Sequence, residues 1–481
     1  MKKPSTLWSA LGSAVFLRLV MAVVNFGQFW IFTRLLPAEE LGGYSLILGV
    51  LMMLHAMPLL GLSVPLIRRV ATDPDKASQE VSNAFALSLP MALLIAGGVY
   101  LYGVTQFDEA LHGPLDCLAL TMIPVAWILV AECALLGLER MDLITKVQSL
   151  EAVGRLVFGV LAIELGYGLQ GVFVCILVLR GLVALYYKFS SVVPRVQWSL
   201  VSWDVQRRNF KEIPTFIGIV ILAALVLRVD VLVLEHTRDL AEVALFAAGA
   251  RLYEAALMVP TMAAQALMPT LARMLQEDEG RFKQMFRQVL DQIMLLGGLF
   301  AIGLAALAGI VVDVVYPSHL QLAGQVFAWL ALGTVLVMVD QLLSSAMLAA
   351  KAQRADMQSL AVAGLVLLLA LLLLTGPWGA EGAAWAILIA HLTRLGMRIR
   401  WATTRLAFPD LPGTAARHLF SLVVGMLGLR LVHLLHPSAE AVWALGAGLT
   451  AWYMSARLSG VLTSGWWLRL RQWRATLQAT R

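Results

Sequence analysis

An all-α, polytopic membrane fold is what this sequence predicts, on three observations. Of its 481 residues, 60% are hydrophobic and only 14% charged, with a mean hydropathy of +0.81, whereas a water-soluble chain is about a quarter charged. The apolar residues gather into about fourteen stretches near the roughly 20 residues that cross 30 Å of hydrocarbon. Lysine and arginine collect in alternate connections between those stretches, as they do when every second loop faces the cytoplasm.

The stretches fall at 11–33, 41–64, 83–104, 117–138, 147–166, 169–188 and 214–234, then at 241–268, 290–315, 322–348, 359–376, 379–395, 416–435 and 439–457. The first follows Met1-Lys2-Lys3 but is too long for a signal core and contains Arg18, so it is read as a retained transmembrane helix. With the N-terminus cytoplasmic, Arg68, Arg69, Arg140, Lys146, Arg207, Arg208, Lys211, Arg394, Arg398 and Arg474 fall on the cytoplasmic side, and Arg34 and Arg238 on the other. Both termini are therefore expected in the cytoplasm, and the protein in a bacterial inner membrane.

Exclusions narrow the function. The net charge of +6 is spread between apolar segments and not along a nucleic-acid groove. Cys117, Cys133 and Cys175 lie apart in apolar runs, which suggests neither a disulfide framework nor a zinc site. Asp73 and Asp75 imitate a sugar-nucleotide signal but stand beside Lys76 in a charged loop. No P-loop, HExxH or nucleophile elbow occurs, so no ATP hydrolysis and no cofactor are expected. The outer connections are short, the longest being 105–116, and leave no room for a catalytic domain. A carrier is expected rather than an enzyme.

The chain also repeats itself. Thr33-Arg34-Leu35-Leu36-Pro37-Ala38-Glu39 is echoed by Thr237-Arg238-Asp239-Leu240-Ala241-Glu242, Pro65 and Arg69 by Pro269 and Arg273, and Gln148-Ser149-Leu150 by Gln358-Ser359-Leu360. Gly168-Leu169-Gln170-Gly171 is matched by Gly379-Ala380-Glu381-Gly382. All keep one order at offsets of roughly 203 to 214 residues, which predicts two parallel, pseudo-equivalent six-helix lobes plus two C-terminal helices. The expected division is 1–188 as the first lobe, 189–213 as an interfacial cytoplasmic linker, 214–396 as the second lobe, and 397–481 as two further helices with a basic amphipathic tail. The linker interleaves Trp198 and Trp203 with Arg207, Arg208 and Lys211, and the tail runs Trp466-Trp467-Leu468-Arg469-Leu470-Arg471. Both suit a headgroup layer.

The turn Leu36-Pro37-Ala38-Glu39-Glu40-Leu41-Gly42-Gly43-Tyr44, with Arg228-Val229-Asp230 leading to Ala241-Glu242-Val243, resembles the polysaccharide transporter family. That family includes O-antigen flippases and belongs to the multidrug, oligosaccharidyl-lipid and polysaccharide (MOP) exporter superfamily. The resemblance covers about the first 400 residues and implies a V-shaped, MATE-like bundle. It implies movement of undecaprenyl-diphosphate-linked oligosaccharide to the outer leaflet for polysaccharide, lipopolysaccharide or O-antigen assembly, beside polysaccharide-assembly proteins. The second turn has Val243-Ala244-Leu245-Phe246 where the first has glycine and tyrosine, a departure from the pattern. A cation-coupled small-molecule or drug antiporter of the same superfamily is the alternative.

Ionisable residues at membrane depth mark the candidate sites, because each costs roughly 2.5 to 3.5 kcal/mol on insertion scales. A diphosphate needs fixed guanidinium groups, so Arg18, Arg251 and Arg155 are the expected substrate-binding residues. Arg251 has Glu254 three residues on, and Arg155 has Glu151 four residues before it, so each has a partner available on its own helix face. Arg228 and Asp230, two apart, cannot share a face and are gate or coupling candidates together with Glu254. Glu132 and Asp340 are read as lone acids at comparable places in the two halves, where a proton or sodium ion could bind. His55 and His391 are read as packed residues. Transport is expected by alternating access, driven by H+, Na+ or the membrane potential.

Overall fold

The computed structural model describes residues 7–277, 279–350, 352–405, 411–435 and 441–458, with the backbone alone at places that include 7–19, 429–435, 441–444, 455–458 and much of 259–281. Helices account for nearly all of them: Leu7–Leu35 (α1), Ala38–Leu54 (α2), Ser63–Thr72 (α3), Ala77–Gln106 (α4), Glu109–Gly137 (α5), Met141–Glu164 (α6) and Gly168–Phe189 (α7). There follow Trp203–Thr237 (α8), Leu240–Glu277 (α9), Glu279–Val315 (α10), Ala323–Ala349 (α11), Gln353–Arg405 (α12), Leu411–Leu435 (α13) and Ala441–Leu458 (α14). No strand occurs among the described residues.

Seven helical stretches among the described residues are long and apolar enough to cross a membrane, and Val20–Leu35 and Leu419–Gly428 are shorter apolar runs. Leu94, Leu101 and Leu373 are 71%, 64% and 73% exposed, an outward apolar surface that only acyl chains would cover favourably. The protein is a multi-pass membrane protein. The basic tail expected at 466–474 lies outside the described residues.

Two helices depart from the expected bounds for identifiable reasons. The stretch 41–64 is helical only to Leu54, because Pro58, Leu60 (φ 53°) and Gly61 (φ 81°) break it. The following α3 is amphipathic, burying Pro65, Leu66 and Val70 while Arg68 stays exposed. In α12 the chain reverses at Gly379, whose φ of 53° and ψ of −132° lie outside the helical region. Asp356 and Arg398, 42 residues apart on this one element, are in contact as a result. The expected separate stretches 359–376 and 379–395 are thus the two arms of a hairpin.

The chain forms two compact units, Met1–Ala247 with Thr375–Ala380, and Ala248–Leu374 with Glu381–Arg481. In the first, α4, α5, α6 and α7 close on a core that includes Val70, Val81, Trp127, Ile128, Leu135 and Tyr187. There α2 also packs on α8. A Cβ at Gly42 would collide with the Leu240 carbonyl, and one at Gly49 would stand 2.7 Å from Val231 Cγ2, so glycine sets how closely these backbones approach. In the second unit, Phe282, Phe286, Leu336, Leu343 and Leu395 join α10, α11 and α12. The last two helices seat on α10, where Trp452 packs with Ile302, Val335 and Leu422.

Candidate functional site

In the first unit, charged and polar groups from four helices meet inside the apolar bundle. Glu151 on α6 forms an ion pair with Arg180 on α7, Arg180 Nε standing 3.0 Å from Glu151 Oε1, with side chains 15% and 7% exposed. The Arg180 Nε–H is not aligned for a hydrogen bond, so the contact is one of charge. Arg155, one turn beyond Glu151, instead donates from Nη2 to Asn25 Oδ1 of α1 at 2.6 Å. This corrects the expected Glu151–Arg155 pair. A guanidinium from the adjacent helix reaches Glu151, and Arg155 is directed to α1, against which α6 packs.

Glu132 on α5 belongs to the same region. It accepts from Gln148 Nε2 at 2.8 Å and from the Tyr187 hydroxyl at 3.4 Å. Its direct partners are therefore neutral. A carboxyl group held by neutral donors at membrane depth is a group that can exist with or without its proton, since either form keeps a hydrogen-bond partner.

The second unit treats its acid differently. Asp340 on α11 is 3% exposed, and two arginines of the second arm of α12 face it. Arg398 Nη1 lies 2.7 Å from Oδ1, with its hydrogen directed at the Asp340 carbonyl 2.6 Å away, and Arg394 Nη1 lies 3.4 Å from Oδ2. Arg398 Nη2 also donates to Asp356 Oδ1 at 2.5 Å, tying the two arms of the hairpin. The reading of Asp340 as a lone acid is corrected: two carboxylates and two guanidinium groups compensate one another here. Nearby, the Tyr253 hydroxyl and His391 Nε2 are 3.5 Å apart.

The remaining expected residues lie on α1, α8 and α9. Arg251 on α9 pairs with Glu254 at 3.0 Å on its own helix face. Arg228 is half-buried on α8 beside Gly49 of α2. Asp230, buried, accepts from the Val231 backbone N–H at 2.8 Å. Arg18 falls on α1, but its side chain lies outside the described residues.

Arg180, Tyr187, Gln148, Arg394 and Arg398 escaped the sequence reading. Arg394 and Arg398 were counted there with a cytoplasmic loop, yet Arg398 is 1% exposed. A signal was available: Arg180 and Arg394 stand 214 residues apart, within the offsets of roughly 203 to 214 that the other sequence matches keep.

The profile of the family described as "Polysaccharide biosynthesis protein" matches residues 8–275. No curated protein matches the chain. Among solved structures, the lipid II flippase MurJ in an inward closed conformation is 12% identical with a TM-score of 0.70, covering 92% of this chain and 98% of that one. An inward-facing multidrug resistance MATE family transporter of the MOP superfamily is 16% identical with a TM-score of 0.65, covering 80% and 94%. Its outward-facing counterpart gives 15% and 0.59, covering 83% and 95%. With more than half its length matched by the family profile, and with a fold shared with these transporters, the chain belongs to the polysaccharide biosynthesis protein family.

Proposed function

We propose that the protein is a flippase that carries lipid-linked glycan, of the undecaprenyl-diphosphate-oligosaccharide class, from the cytoplasmic to the outer leaflet of the bacterial inner membrane by alternating access. The observation that carries this reading is the placement of guanidinium groups among the packed helices: Arg155 and Arg180 in one unit, and Arg251 and Arg394 in the other. A diphosphate is recognised by such fixed, permanently charged donors, and a hydrophobic solute is not. Membership of a polysaccharide biosynthesis family supports the same substrate class. Arg18, Arg155 and Arg251 are the proposed headgroup contacts, and Arg228, Asp230, Glu254, Glu132 and Asp340 the proposed gate or coupling groups. The membrane potential would assist, since moving each negative charge outward across 100 mV is favourable by about 2.3 kcal/mol.

A leaflet-accessibility assay for lipid-linked oligosaccharide, in a strain deleted for this gene and complemented with it, tests the reading. The deletion should hold the glycan on the cytoplasmic face, and complementation should release it. Equal outer-leaflet exposure in both strains removes the flippase assignment. Similarity of fold to multidrug transporters supports cation-coupled antiport of small molecules as the second reading. That reading predicts altered resistance to cationic compounds and no change in glycan exposure.

A further inference from the structure

The connection between α7 and the apolar part of α8 has two unlike faces. One is tied to the bundle. Asn83 of α4 accepts from the Ser202 backbone N–H at 3.0 Å, receives Gln206 Nε2 on its carbonyl at 3.0 Å, and donates to the Leu200 carbonyl at 3.0 Å. Arg69 of α3 donates to Asn209 Oδ1 at 2.6 Å and to Glu212 Oε2 at 2.5 Å, and Arg208 donates to both Glu80 oxygens at 2.6 Å. Gln206 and Asn209 are buried by these contacts.

The other face is exposed among the described residues. Trp203 is 72% exposed and Phe210 49%, their rings 6.4 Å apart, and Arg207 and Lys211 are exposed between and beyond them. At 100° per residue these four side chains share one stripe, with Asp204 as the acid at its edge. Trp198, 62% exposed, and exposed Arg195 extend the same character towards α7. Helix α8 has 35 residues and is therefore about 52 Å long, well beyond the roughly 30 Å of hydrocarbon, so its first turns stand at headgroup level.

We propose that the stripe Trp203, Arg207, Phe210 and Lys211 is a binding site for anionic phospholipid headgroups, and that its occupancy holds the start of α8 in the clasp made by Asn83 and Arg69. The aromatic rings sit where acyl chains meet headgroups, and the two cations meet lipid phosphate. Charge complementarity selects the lipid surface over a protein partner, because a single acid accompanies the basic and aromatic residues of this face. Lipid and clasp act on opposite faces of the same helical turns, so they favour one conformation. The inference rests on the chain being a membrane protein and is independent of what it carries.

Hydrogen–deuterium exchange of the full chain in nanodiscs tests it. Exchange across 198–211 should be slower in discs of phosphatidylcholine with phosphatidylglycerol than in phosphatidylcholine alone. Each basic residue at an anionic surface changes binding about fivefold, so R207Q/K211Q should lose about 25-fold of that preference. Trp203→Ala with Phe210→Ala should speed exchange in both lipid compositions. Equal exchange of the wild type in the two discs, or a full lipid preference in R207Q/K211Q, overturns the proposal. Protection by inorganic phosphate in phosphatidylcholine discs overturns it in favour of a free-anion site, and unchanged exchange in the aromatic variant overturns the role of the rings. No transport readout enters, so failure here is separable from failure of the flippase reading.

Discussion

Gly168 and Gly379 carry the same left-handed φ of 53°, each at the turn between the fifth and sixth helical stretches of its half. Each also faces a carboxylate from the start of the second helix of that half. A Cβ at Gly168 would stand 3.8 Å from Glu40 Oε2, while Glu242 Oε2 accepts the Ala380 backbone N–H at 2.7 Å, beside Gly379. Glutamate beside a tight glycine turn thus recurs in the two halves.

Gly379→Ala should destabilise the protein more than Gly168→Ala. A φ of 53° strains an L-residue in either turn, at about 1 to 3 kcal/mol. At Gly379 the added Cβ would also stand 2.6 Å from Glu242 Oε2 and disturb the bond to Ala380. Thermal midpoints of the two purified variants in detergent provide the comparison, and equal midpoints would contradict it.

Arg398→Met should lower stability by about 3 to 5 kcal/mol, because buried Asp340 would lose the nearer of its two arginines and half-buried Asp356 its contact with Arg398. Asp340→Asn in the Arg398→Met background should recover part of the loss, since one uncompensated charge is removed with it. Folded yield by size-exclusion chromatography, compared across the single and double variants, reads this coupling. An Arg398→Met protein as stable as the parent would mean that the network carries no structural charge balance.

Arg155→Ala should reduce transport by about tenfold while folded protein remains. Loss of a charged hydrogen bond of about 1.5 to 3 kcal/mol corresponds to that factor or more. Arg155→Lys should restore only part, because an ammonium cannot reproduce the planar fork. Transport in vesicles normalised to protein level separates this from a folding defect, and full activity in Arg155→Ala would remove Arg155 from headgroup binding.

Glu132→Gln keeps a side chain that can hydrogen-bond Gln148 and Tyr187 but cannot ionise. If Glu132 couples a proton to transport, this variant should fold normally yet lose the response to an imposed pH gradient. Asp340→Asn is expected instead to show its effect on stability, given the two arginines beside it. A Glu132→Gln transporter with an intact pH-gradient response would exclude Glu132 as the coupling group.

Much of the architecture was legible from the chain alone. Length and apolarity of the stretches fix that they are helices in lipid, since a backbone without water must satisfy its own hydrogen bonds. A turn such as Leu36-Pro37-Ala38-Glu39 pointed to the family. Arg251 and Glu254 pair as their spacing of three allows, because i and i+3 neighbours are set by the helix itself.

Which charges meet across helices was decided only by the tertiary structure. Spacing offered Glu151 to Arg155, but α6 is rotated so that Glu151 meets Arg180 of α7 while Arg155 meets Asn25 of α1. Sequence placed Arg394 and Arg398 in a basic loop, but the reversal of α12 at Gly379 brings them to Asp340 and Asp356. Helix periodicity determines the neighbours along one helix. Partners between helices depend on axial rotation and register, which arise from packing of the whole bundle.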